Sequence, residues 1–511
     1  MLFDFQSADS LIRWRVFELL AMMSKAGQTD AGLIQLGLQD AYQSTRNEAM
    51  NALNVSGLID ATLTPTVINL LNDSSALVQS KALEYLARAG VVFEPTVRAR
   101  LVDITRNTRS PYVKRSALEA IGELTDLSDV EISILAEAAN DADKDIQQIA
   151  AASLISARVP AERAIPSLLP LLSSDDVLTA ITVRDRFQRA LQNQQFPLVL
   201  VADTAHATAD PDARASILSM IETFETVDEA IVPALTKLLA DPQPSTSKAA
   251  ARLIGRSGTT DARNLAALER AMHWDGVRGV ALLAYEHLVP RSNAAAEAAA
   301  GLLDNSDVQL RLAAAIVLSV HGNAAAQATV RESLSSDNSE LQGVALEALR
   351  NLPAAADLFH PEIEPLLQSP DLITRRYGVE LLVEGQSSDQ AIEALRGLLE
   401  QAQPVAGILH KAGKKAASAI PELQKALELG MESAIPVLCD LAPPELIMES
   451  LEQALSHRQA NIRATAAAAI GKMGHAPENV VTRLETLSHD FDQDVRIAAR
   501  GSLARLVVTT H

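Results

Sequence analysis

Aromatic residues and cysteine are scarce in this 511-residue chain. Phe, Tyr and Trp together make up 3% of it, so the core must be filled by aliphatic and small side chains. Helices that approach one another on alanine have little need of large rings. A single cysteine, Cys439, excludes an internal disulfide framework and suits a reducing compartment, so a cytoplasmic protein is expected. No uninterrupted apolar run reaches the roughly 18 residues of a membrane span. The opening MLFDFQSADSLIRWRVFELL has acids and arginines where a secretory leader needs a basic head and an apolar run. Positive charge is in short supply too: 44 Lys and Arg stand against 64 Asp and Glu, a net charge of −20. That balance repels a nucleic-acid backbone at long range and leaves basic protein partners open.

Recognisable chemistry is also missing from the pattern. The ten histidines include no pair at i, i+3 or i, i+4, the spacing that brings two metal ligands onto one helix face. Cys439 lies in the apolar run IPVLCDLAPPE and reads as a buried, inert thiol. Gly-Lys-Lys in HKAGKKA lacks the spacing and the Ser or Thr of a phosphate loop, and no Gly-x-Ser-x-Gly elbow occurs. No catalytic residue, cofactor site or metal site is expected, and the chain reads as a non-enzyme.

What the chain does have is a repeated phrase. Residues 304–322 read DNSDVQLRLAAAIVLSVHG: an acid, a β-branched residue, then an Ala-rich apolar helix closed by glycine. Variants return as DGVRGVALLAYEHL from Asp275, DNSELQGVALEALRNL from Asp337, NIRATAAAAIGKMG from Asn461 and DQDVRIAARGSLARL from Asp492. The opening acids Asp141, Asp175, Asp210, Asp241, Asp275, Asp304, Asp337 and Asp371 are spaced 29 to 35 residues apart. A fixed period of that length marks a solenoid, in which each unit is too small to bury its own apolar stripe and must stack on neighbours.

Two helices are expected per unit. The first is typified by residues 227–240, VDEAIVPALTKLLA, with Pro233 expected to kink it; Pro166 and Pro365 recur at the same place. The second starts at the acidic phrase, whose Asp or Ser can accept hydrogen bonds from free helix N–H groups. Residues 9–23 already read as such a second helix, so the sequence opens inside a unit. The period predicts an all-α solenoid of stacked helical hairpins over residues 1–511, with roughly 15 units. Irregular joints are expected at 184–210, which contains QNQQFP, and at 401–444, which is rich in Pro and Gly.

The Asp, the Val or Ile after it, the following Arg and the small-apolar run resemble HEAT repeats, including those of bacterial phycobilin lyase subunits. Val277-Arg278, Ile462-Arg463 and Val495-Arg496 carry the resemblance best. Gln147 and Gln309 are read in the Arg place of their units, so the ladder between neighbours should be interrupted there. The resemblance implies a HEAT- or armadillo-like superhelix, which specifies a fold and not an activity.

The functional expectation is a scaffold or adaptor that holds a protein partner, a basic or helical segment, on the concave side of its second helices. Helical phase places Glu347, Arg375, Glu380, Arg463, Arg496 and Arg500 there. Arg376, Trp274 and the local basic cluster with Lys411, Lys414 and Lys415 complete the candidate set. A phycobilin-lyase-like chromophore-handling factor is the alternative that the resemblance suggests, ahead of a HEAT-like nucleic-acid binder. No continuous basic stripe supports the latter.

Overall fold

The computed structural model describes residues 9–24, 30–90, 95–124, 126–157, 159–192, 194–224, 226–383, 388–400, 408–409 and 412–508. Among the described residues the regular structure is helical throughout, α-helices with short 3-10 turns, and there is no strand. This is the all-α, stacked-hairpin architecture that the period predicts. No helix among the described residues is long and apolar enough to cross a membrane.

The chain divides into two compact units, Met1–Gln195 with Arg463–His511 and Phe196–Ile462. The first unit opens with α1 (Ser10–Ser24), α2 (Ala31–Leu38), α3 (Gln43–Ser56), α4 (Thr64–Asn69), α5 (Ala76–Ala89) and α6 (Pro95–Asn107). It continues with α7 (Pro111–Gly122), α8 (Asp129–Ala138), α9 (Lys144–Ser156), α10 (Ala161–Leu172) and α11 (Val177–Gln192). The odd-numbered helices pack in series from α1 to α11, and each even-numbered one forms a hairpin with the odd one after it. Thus α1 stands in the place of a second helix, as residues 9–23 suggested.

The second unit holds α12 (Leu198–Ala207), α13 (Pro211–Glu222), α14 (Val232–Leu238), α15 (Pro244–Arg256), α16 (Ala262–Ala271) and α17 (Arg278–Leu288). Next come α18 (Asn293–Ala300), α19 (Val308–Val320), α20 (Ala324–Leu334), α21 (Ser339–Arg350), α22 (His360–Ile363) and α23 (Leu372–Leu382). It ends with α24 (Ser388–Glu400), α25 (Ile420–Glu428), α26 (Ala434–Leu441) and α27 (Pro444–Ala454). From α13 to α23 the odd-numbered helices again pack in series. Helix α28 (Ala460–Met473), α29 (Glu478–Leu487) and α30 (Gln493–Val508) follow, and from Arg463 onward they belong to the first unit.

The second helices meet on small residues, which is why alanine dominates the sequence. In α7 the stripe Val113, Ala117 and Ile121 is fully buried at a four-residue repeat. A Cβ on Gly122 would sit 2.5 Å from Ser153 Oγ, so only glycine lets α7 and α9 approach this closely. Ser153 Oγ in turn donates to the Leu118 carbonyl at 3.1 Å, and Ser502 Oγ of α30 does the same to Ala467 of α28 at 2.7 Å.

The recurrent prolines act differently from the expected kink. Pro233 and Pro365 each lie in the first turn of a helical segment, after a 3-10 or short α stretch has ended. Splitting the first helix there removes the clash between the ring and the carbonyl four residues back. Only Pro166, with Pro170, stays inside a continuous helix, α10.

Opening acids and caps also turn out to be separate jobs in most units. Asp73, Asp141 and Asp241 lie two residues before the cap position, and each accepts from the backbone N–H two residues on, at 2.8 to 3.0 Å. The caps themselves are residues such as Asp143, Asp307 and Asn338. Asp210 and Asp371 do cap directly.

Candidate functional site

The displaced acids are free to bind the preceding unit. Arg13 Nε donates to Asp40 at 2.6 Å and Arg46 Nε to Asp73 at 2.6 Å, each across 27 residues. Lys114 reaches Asp141, Arg214 pairs with Asp241 at 2.8 Å, and Arg463 pairs with Asp490 at 2.8 Å. Several of these basic residues also close their own loop by donating to the carbonyl six residues back, as Arg46 does to Asp40 and Arg214 to Thr208. Gln147 donates to the Asp141 carbonyl at 2.7 Å and accepts from Lys144 at 3.3 Å, both local bonds. In the unit opening at Asp304 the place belongs to Arg311, which donates to the Asn305 carbonyl, and not to Gln309. The ladder residue stands four beyond the cap, as Arg46 does after Tyr42, and the cap there is Asp307.

Asp40, Asp141 and Glu131 lie below the usual carboxylate range. Burial pushes each of them up, but cationic partners and local hydrogen bonds outweigh it.

In α30 the same position is Arg496, and its carboxylates come from far back in the chain. Its Nε and Nη2 donate to Glu123 Oε1 at 3.0 and 2.6 Å, and Nη2 also reaches Glu119 Oε1 at 3.0 Å. Nη1 donates to the Asp490 and Phe491 carbonyls at 2.8 and 2.9 Å. All five guanidinium N–H groups are therefore used, as a fully buried arginine requires. Arg496 is 1% exposed and the Glu123 side chain 3%.

One turn on, Arg500 donates from Nη1 to Glu123 Oε2 and from Nη2 to the Arg88 carbonyl, both at 2.8 Å. His489 Nδ1 shares that carbonyl at 3.2 Å. At the other end of the contact, Asp494 in the first turn of α30 takes Arg186 of α11 at 2.8 Å. The side chain of Arg88 stacks under the exposed ring of Phe491, 5.2 Å from its centre.

The electrostatics explain why arginines serve here. Arg88 is in the last turn of α5 and Glu123 caps the end of α7, where helix dipoles already leave partial negative charge. A carboxylate at such a position is unfavourable unless a cation answers it. Burial drives the Glu123 carboxyl up against the pull of Arg496 and Arg500. Gly90 makes room: it adopts the left-handed conformation at φ 61°, and a Cβ on it would come within 2.9 Å of the Arg500 guanidinium.

Residues 29–122 match the family model described as HEAT repeats. Residues 29–122 carry HEAT repeats. Among solved structures, importin beta crystallised in an ammonium sulfate condition is similar at 13% identity and TM-score 0.41, over 98% of this chain and 79% of that one. A Kap121p mutant is similar at 14% identity and TM-score 0.48, over 99% and 65%. Kap121p bound to Pho4p follows at 13% and 0.40, over 99% and 68%. No curated protein sequence matches the chain.

The stacked helices put the sequence-derived candidates in three settings. Arg496 and Arg500 converge on Glu123, and Arg463 is a ladder rung to Asp490. Glu380 pairs with Arg350 at 2.8 Å, beneath which lies the Tyr377 ring, and Arg375 donates to the Ser369 carbonyl at 2.9 Å. Glu347, Arg376, Lys414 and Lys415 are exposed, and Trp274 is 37% exposed in the turn after α16. Lys411 lies outside the described residues. Cys439 is half-buried, not buried, because it sits one residue past the inward-facing Leu438. Phe187 is fully buried, and its neighbours Arg186 and Arg189 face Asp494 within the first unit.

Sequence reasoning overlooked Glu119, Glu123 and Asp494. A signal exists: Glu119 and Glu123 are spaced i, i+4 on α7, and so are Arg496 and Arg500 on α30. Two such pairs on separate helices can meet as forks across a contact.

Proposed function

We propose that this chain is a non-catalytic scaffold that holds a protein segment along the second helices of its HEAT repeats. One observation carries the reading: α30 lies against the ends of α5, α7 and α9 and is held by a buried, fully paired arginine. A surface that grips one helix of its own chain is built to grip helices. In the second unit Glu347 on α21 and Arg376 on α23 leave exposed charges on the corresponding row, where a partner would find them.

The test is affinity capture from the native cell with mass spectrometry, using three baits. These are the full chain, a face variant with Glu347→Arg and Arg376→Glu, and a control with Glu269→Arg on the first-helix row. A scaffold returns the same partner with the full chain and the control, and loses it at least about tenfold with the face variant. Turnover of a small molecule without any partner would overturn the reading. So would a tetrapyrrole absorption band after mixing with bilin, or nucleic-acid binding at low salt, where phosphate contacts are strongest.

A further inference from the structure

Glu119, Glu123 and the Arg88 carbonyl form an acidic seat at the ends of α5 and α7. Its geometry is specific. Three acceptors are spaced for two guanidinium groups one helical turn apart, and Gly90 clears the path of the second. We infer that this seat is a binding site for a partner helix carrying arginines at i and i+4, and that α30 occupies it in cis as a competing ligand. The inference rests on the scaffold reading and names the partner chemistry of one of its surfaces. The occupant is argued from charge complementarity and from the seated helix itself. Lysine would satisfy the seat poorly, because Arg496 uses its planar fork to reach Glu119, Glu123 and two carbonyls at once.

An array whose seat is already filled binds a second helix only in proportion to the fraction of time the first is away. The probe is a fluorescein-labelled peptide of residues 488–508, read by anisotropy against the full-length chain. With Arg496→Glu and Arg500→Glu in the chain, α30 is repelled from the seat and the peptide should bind saturably. Binding to the unaltered chain should be roughly 100-fold weaker. A peptide with both arginines changed to lysine should bind the open chain at least about tenfold more weakly. Adding Glu119→Gln and Glu123→Gln to the open chain should abolish binding.

The inference is overturned if the open chain, shown folded by its cooperative melt, binds no peptide, or if open and unaltered chains bind it equally. Should the double variant not fold, Arg500→Ala alone loosens the contact without repulsion and should give intermediate affinity. No binding there overturns the inference equally. A result of this kind leaves the scaffold reading standing if the capture experiment still shows a partner sensitive to Glu347 and Arg376. Loss of that partner with an intact peptide response would do the reverse.

Discussion

The two units use the same repeat and spend its basic residue differently. In the first unit Arg13, Arg46, Lys114 and Arg463 each reach an acid 27 residues on, tying one repeat to the next. In the second, Arg214 does so, whereas Arg311, Gln342 and Arg375 are seen donating to the carbonyl six residues back in their own loops. The local bond that closes the turn is thus the common element, and the link between repeats is an addition to it. Packing of alanine-rich helices holds the stack where the link is missing, in keeping with the small net worth of many ion pairs.

That contrast can be broken by mutation. Arg496→Ala should cost the most, about 3–5 kcal/mol, because it removes a fully buried cation and leaves the Glu123 carboxylate to Arg500 alone. Urea denaturation of the full chain measures it, and hydrogen exchange should rise first in residues 111–123. Arg46→Ala strands the well-buried Asp73, with solvent reaching the pair a little more, so about 3 kcal/mol is expected. Gly90→Ala forces a left-handed backbone on a residue with a side chain and crowds Arg500, at about 1–2 kcal/mol for the backbone alone. Arg311→Ala removes a bond to a carbonyl without stranding an acid, and about 1–2 kcal/mol is expected. If Arg311→Ala matched Arg46→Ala, the division between local and linking roles would be wrong.

Acid should sharpen the same comparison more gently. Asp40, Asp141 and Glu131 are depressed in the folded state, so their contribution is present above the ordinary carboxylate range and is lost as pH falls below about 4. Glu84 and Glu123 are raised by burial and act in the opposite sense, favouring the folded state while protonated and losing that contribution as pH rises through their folded values. The melting temperature should therefore fall below pH 4, by less than the depressed carboxylates alone would give.

The architecture was legible in the sequence because stacking imposes a period, and the period shows in Asp141, Asp175, Asp210 and their successors. The ladder was legible in part. Arg463 announces itself beside Ile462, whereas Arg311 was passed over for Gln309 because the distance from opening acid to cap varies between units. The seat at Glu123 was not found. Arg496 looks locally like any other ladder residue, and nothing near it says that its acid lies 373 residues earlier. Contacts at such separation are set by how the chain returns on itself, which a short window of sequence does not encode.

The constant interval between a ladder arginine and its acid works as a ruler laid along the chain. Duplication or loss of a whole hairpin keeps every reading on that ruler, so the array can lengthen or shorten without redesigning a single junction. One residue added between Arg46 and Asp73 does not, since the carboxylate then swings away from the guanidinium that awaits it. Variation in such a protein should accordingly come in whole modules, with the stretches between paired marks held to length.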